Sequence, residues 1–237
     1  MSTNFSILFE ISFDIFYLLV IWALVILMYK KTANLTSENK LVGNILKTGF
    51  LLLAIGDTGH VGFRVWAYAL GNINAKINLF GFNITMVGIG ACATAYTITL
   101  LYMLILKAWK IRFNKKAAIT YYFLILAGIF RLIIMLLPQN DWDAVIPPLD
   151  FSLIRNVPLM IMGIGAAVLI LIDASKNKDK IFKIFGYLIL VSYLFYTPVI
   201  LFIQKAPMLG MLMIPKTIAY MLMAYYTYKY FFKRKCI

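Results

Sequence analysis

Residues 55–68 read IGDTGHVGFRVWAY and fall inside a long apolar segment spanning residues 45–71. Asp57, the chain's only histidine, His60, and Arg64 all lie within eight residues. At about 100° per residue, Asp57, His60, Arg64 and Tyr68 share one narrow face of a helix. A charged stripe on an otherwise apolar helix turns toward a protein interior and leaves the remaining surface to lipid. Read this way, the stretch belongs to a membrane bundle with a polar centre.

Composition agrees with that reading. The chain has 237 residues, 63% hydrophobic and 14% charged, with mean hydropathy +0.87. A soluble domain is about 45–50% apolar and about 25% charged. The net charge of +14 would suit nucleic acid, but the basic residues fall between apolar segments, where orientation in a bilayer accounts for them. The expected partners are therefore the lipid bilayer and a small charged ligand or lipid headgroup, with no nucleic acid. Cys92 and Cys236 offer neither a disulfide framework nor a metal spacing, and no prenylation box ends the chain. Glu10 and Asp14 interrupt the first apolar run, which lacks a basic start; it reads as a spanning helix rather than a cleaved signal.

About 20 apolar residues cross a hydrocarbon core. This predicts an all-α, multi-pass fold, a single seven-helix transmembrane domain over residues 1–237. Its helices are expected near 6–29, 45–71, 79–106, 117–138, 157–174, 184–204 and 207–228. Lys and Arg number four, five, four and four in the 1–2, 3–4 and 5–6 connections and the tail, 17 of the chain's 23. The opposite connections carry Lys76, Arg155 and Lys205 against Asp141, Asp143 and Asp150. The positive-inside rule then places the N-terminus outside and the C-terminus in the cytoplasm. Residues 86–93, MVGIGACA, and 161–168, IMGIGAAV, read as two small-residue packing seams, with a parallel internal repeat as the alternative. Pro198 and Pro215 are expected to kink or locally break the sixth and seventh helices.

Further ionisable residues interrupt the other helices. Glu10, Asp14 and Tyr17 share one face of the first helix, Arg131 interrupts the fourth, and Lys216 follows Pro215 in the seventh. With a rise of about 1.5 Å per residue, Asp57 and His60 fall near the membrane centre. Arg64, Asp14, Glu10 and Arg131 fall roughly 5–11 Å outward of it. A charge at a helix centre costs about 2.5–3.5 kcal/mol on insertion scales, so mutual pairing inside the bundle is expected. The alternative is that ion pairs only fix helix register. Arg155 and Asn156, in RNVP (155–158), and LPQNDW (137–142) continue the same surface over the cavity mouth. The expected ligand-binding set is Glu10, Asp14, Asp57, His60, Arg64, Arg131, Arg155, Asn156, Tyr196 and Lys216.

No hydrolase, zincin, phosphate-loop or dinucleotide motif occurs, and one histidine cannot build a histidine-rich metal site; no metal or cofactor is expected. That also removes metal hydrolases of the ceramidase and adiponectin-receptor type. Lys216 in the seventh helix, with Tyr193, Tyr196 and Pro198 in the sixth, resembles the Schiff-base lysine of microbial rhodopsins, but it sits nearer the outer end of its helix and the third helix has no acidic counterion. Sugar transporters with three-helix repeats use prolines in the first repeat, and the first three helices here contain none. Taken together, GDTGHVGFR, LLPQNDW and RNVPLMIMG resemble an uncharacterised group of small bacterial multi-pass membrane proteins. The resemblance covers most of helices two to five and implies a seven-helix fold in the plasma membrane, without an activity. The Gly56–Asp57 pair is also similar to lysoplasmalogenase-type enzymes. Binding, sensing or transport of a small charged or zwitterionic ligand in an outward-facing pocket is the function expected. An intramembrane enzyme acting on a lipid, with Asp57 and His60 as an acid–base pair, is the alternative.

Overall fold

A computed structural model describes residues 3–37, 39–79, 82–115, 119–144 and 148–233. Lys116, Arg234, Lys235, Cys236 and the expected start of the fourth helix at 117 lie outside them. Among the described residues there are seven α-helices: α1 (Thr3–Lys30), α2 (Lys40–Ala69), α3 (Met86–Arg112), α4 (Ile119–Ile134), α5 (Leu149–Lys176), α6 (Lys180–Phe202) and α7 (Met213–Thr227). All but α4 are, or extend into, segments long and apolar enough to cross a membrane. At about 1.5 Å per residue, the 16 residues of α4 reach about 24 Å, short of the roughly 30 Å core.

The helical expectation needs one correction. Two short strands, β1 (Lys76–Leu79) and β2 (Phe82–Thr85), pair antiparallel as the arms of a hairpin, with Lys76 opposite Thr85. KINL and FNIT alternate polar and apolar residues, a period of two that a helix cannot turn to one face. The third helix therefore starts at Met86 rather than 79. Thr85 caps it, its side chain accepting from Gly88 N at 3.2 Å. At the other end α3 runs on to Arg112, beyond the expected 106, and α2 begins earlier, at Lys40. Apolarity locates the hydrocarbon, whereas helical hydrogen bonding continues into the polar flanks.

Prolines set several other boundaries. Leu137, extended before Pro138, lies beyond the end of α4 because a residue preceding proline avoids the α region. α5 begins at Leu149 and runs through Pro158, eight residues before the expected start. Pro215 kinks nothing: it sits in the first turn of α7, where its missing N–H has no intrahelical acceptor to lose. A 3₁₀ segment, Pro207–Leu212, precedes it.

α2 and α3 share the most extensive interface, and α1 packs against α2 and α7. Gly49 meets Leu101, Gly56 meets Thr97, Gly59 meets Ala93 and Gly90 meets the His60 backbone. This antiparallel run of glycines lets the two backbones approach where no hydrophobic drive operates between helices. Likewise Gly163 lies against Tyr193 and Gly165 against Leu124, so both small-residue runs are packing seams. One apolar core fills the half of the bundle away from the hairpin, with Met28, Phe50, Tyr102, Trp109, Phe182 and Phe232 fully or almost fully buried.

Candidate functional site

The polar residues gather at the end of the bundle that carries the hairpin. Asp57 is their centre. Tyr17, 3% exposed on α1, donates its hydroxyl to Asp57 Oδ2 at 2.5 Å. Thr94 on α3 donates to Asp57 Oδ1, also at 2.5 Å. The carboxylate thus ties three helices together through neutral donors, and among the described residues it forms no ion pair. Such hydroxyl–carboxylate bonds are charge-assisted and correspondingly short.

The expected pairing occurs elsewhere. Arg64 Nη1 lies 2.8 Å from Glu10 Oε1, joining the charged faces of α1 and α2 near the mouth, where both side chains keep solvent contact. Asp14, one turn along α1, lies within electrostatic reach of Glu10, Arg64 and Asp57. His60 packs beneath Gly90, and its Nδ1 is buried with no hydrogen-bond partner; the same holds for Arg64 Nε. Buried polar atoms almost always find a partner. Two orphans one helical turn apart mark a place where a further polar molecule belongs.

α7 supplies Lys216. Its Nζ stands 3.9 Å from the centre of the Tyr196 ring, and its charge reaches Asp57 and Arg131. The Tyr196 hydroxyl donates to Asn156 Oδ1 at 3.3 Å, linking α6 to α5. Asp57, His60 and Lys216 lie inside the bundle and each keeps some accessible surface.

Arg131 takes a different role from the one expected, as it pairs with no acid among the described residues. It is 2% exposed; its Nε donates to Arg155 O at 2.9 Å, and its Nη1 to Thr99 Oγ1 at 2.6 Å and Ala95 O at 3.3 Å. The guanidinium therefore straps α4 to α3 and α5. Arg155, 8% exposed, stacks 4.3 Å from the Trp142 ring, and its Nη1 donates to Asn140 Oδ1 at 3.4 Å. Asn140 in turn donates to Ile134 O and Leu137 O, turning LPQNDW back over the bundle. The loop backbone at Trp142 then rests on Gly88, at the start of α3.

Outside the membrane segments, Asp143 joins the two connections at this end. It pairs with Lys76 and accepts from Thr85 N at 2.6 Å. The lysine first, and then the backbone N–H, hold its carboxyl below the usual carboxylate range.

Two groups of polar residues went unread in the sequence. Thr94, in ACATAYT, looks like any small hydroxyl on a packing seam; only the rotation of α3 against α2 aims it at Asp57. At the opposite end, Asp173 accepts from Trp109 Nε1 at 2.9 Å and Lys115 Nζ at 2.7 Å, and Arg112 pairs with Asp179 at 2.8 Å. The signal there was acids at 173 and 179 facing a cluster of cations after α3. These contacts clamp α3, α5 and α6 beside a fully packed core. Comparison with protein-family models, with curated proteins and with solved structures finds no match for this chain.

Proposed function

We propose that the protein spans the plasma membrane seven times, N-terminus outside, and binds a small charged or zwitterionic ligand in its outward half. The distribution of basic residues supports this orientation, and the long apolar helices support a membrane location. The single observation that carries ligand binding is the pair of orphaned buried atoms, His60 Nδ1 and Arg64 Nε, beside the half-enclosed Lys216. A ligand spanning these groups and Asp14 or Asp57 meets both signs of charge.

Sensing or simple binding is favoured over transport. Below Asp57 large apolar side chains, Phe50, Phe182 and Phe185 among them, fill most of the bundle. The lipid-enzyme reading is weakened by the same geometry. Both Asp57 oxygens are engaged by hydroxyls, and His60 Nδ1 receives nothing from Asp57. A general base has to be free to take a proton within hydrogen-bond reach.

The test is the melting temperature of the purified full chain in neutral detergent against organic cations, anions, zwitterions and lipid headgroup analogues. At least one compound is expected to raise it, because a ligand that binds only the folded state stabilises it by mass action. A flat response across the panel would remove the pocket.

A further inference from the structure

The charges of the proposed pocket do not balance, and the imbalance says what enters it. Glu10 and Arg64 neutralise one another. Arg131, Arg155 and Lys216 have no carboxylate partner within ion-pair distance among the described residues. They meet around Tyr196: Lys216 Nζ faces its ring at 3.9 Å, Asn156, next to Arg155, accepts from its hydroxyl, and Arg131 donates to the Arg155 carbonyl. Among the described residues Asp57 lies within electrostatic reach of Lys216, and its oxygens are already held by Tyr17 and Thr94.

Each cation keeps donors outside the bonds described. Arg131 uses Nε and Nη1, Arg155 uses Nη1, and Lys216 Nζ has only the face of a ring. Asn156 accepts from the Tyr196 hydroxyl through its Oδ1, which leaves its amide as a further donor. A buried cation without an anion is costly, and in an apolar bundle water relieves that cost poorly. A planar guanidinium fits a carboxylate or phosphate through paired N–H groups, which a simple halide does not match.

Resting on the pocket proposed above, we propose that its ligand carries an oxyanion, a carboxylate or phosphate, held around Tyr196 by Lys216, Arg155 and Asn156. Arg131 stands behind them as a fixed positive charge. The anion belongs either to a soluble molecule or to the headgroup of an anionic phospholipid.

The test uses the full chain in a neutral detergent. Sodium phosphate and sodium succinate are titrated against sodium chloride of equal ionic strength while melting is followed. Separate micelles carry phosphatidylglycerol or phosphatidylcholine. One of the oxyanions, free or as phosphatidylglycerol, is expected to raise the melting temperature beyond the chloride and phosphatidylcholine controls. Lys216→Met or Arg155→Gln should weaken that response about tenfold or more, and Lys205→Met, which removes an exposed cation at the same end, should not. If one of the two pocket variants fails to elute as a folded species, the other carries the same reading. Response to phosphatidylglycerol alone assigns the lipid source, and response to free phosphate or succinate the soluble one. Stabilisation by choline but by no oxyanion overturns this proposal and leaves the pocket standing. An oxyanion response unchanged in both pocket variants also overturns it. No response to any compound removes the pocket itself.

Discussion

Asp57 is a buried carboxylate satisfied by hydroxyls rather than by a cation. Hydrogen bonds to a charged group contribute about 1.5–3 kcal/mol each, so Tyr17→Phe should destabilise the protein by roughly that amount. In a double-mutant cycle, Asp57→Asn should couple to Tyr17→Phe by more than about 0.5 kcal/mol. With Arg64→Met, whose partner is Glu10, it should be additive to within about 0.5 kcal/mol. Chemical or thermal unfolding in detergent measures both cycles, and coupling to Arg64 with none to Tyr17 would reverse this assignment. The residue types were legible from the chain alone. Tyr17 lies on the Glu10–Asp14 face and Arg64 on the Asp57 face, as helical periodicity requires. The partner of each was not, because four helices present donors at similar depth and periodicity does not rank them.

At the scale of elements, the glycine seam between α2 and α3 places Thr94 and His60. A Cβ on Gly90 would lie 2.7 Å from His60 Cα, and a backbone neighbour cannot swing aside. Gly90→Ala should therefore cost about 1–3 kcal/mol through overpacking and displace His60 with it. Gly62, on the exposed face of the same α2, has nothing near its would-be Cβ. There Gly→Ala should stabilise by up to about 1 kcal/mol, from helix propensity alone. Melting of the two variants side by side checks the contrast, and equal effects would mean the seam is not tight. Small residues were readable as seams in MVGIGACA and IMGIGAAV. Which helix each seam meets became visible only with the fold, and so did the hairpin, whose four-residue strands are too short for an alternating pattern to outweigh the adjoining apolar run.

At the scale of the molecule, the two ends differ in kind. One is a filled core clamped by Asp173 and Asp179, and at the other buried polar residues gather under a roof made by β1, β2 and residues 140–143. Asp143 holds the two parts of that roof together. Its folded carboxyl titrates below the ordinary value, so the tether is complete at pH above the usual carboxylate range and is lost as pH falls through the folded value. Asp143→Asn should accordingly melt below wild type near neutrality, and the difference should close as pH falls past the ordinary aspartate value of about 3.9 and through the lower folded value. A gap that does not change with pH would show that the tether does not depend on the carboxylate charge. From composition and apolar periodicity, the chain by itself determined a helical protein, several of whose helices are long and apolar enough to cross a membrane. Those properties are carried by single residues and their spacing along one helix, and spacing survives without a fold. Tertiary structure alone decided that Glu10 takes Arg64, that Asp57 takes two hydroxyls, and that Arg131, Arg155 and Lys216 pair with no acid among the described residues. Pairing depends on how each helix is rotated against its neighbours, and close packing sets that rotation across residues far apart in the chain.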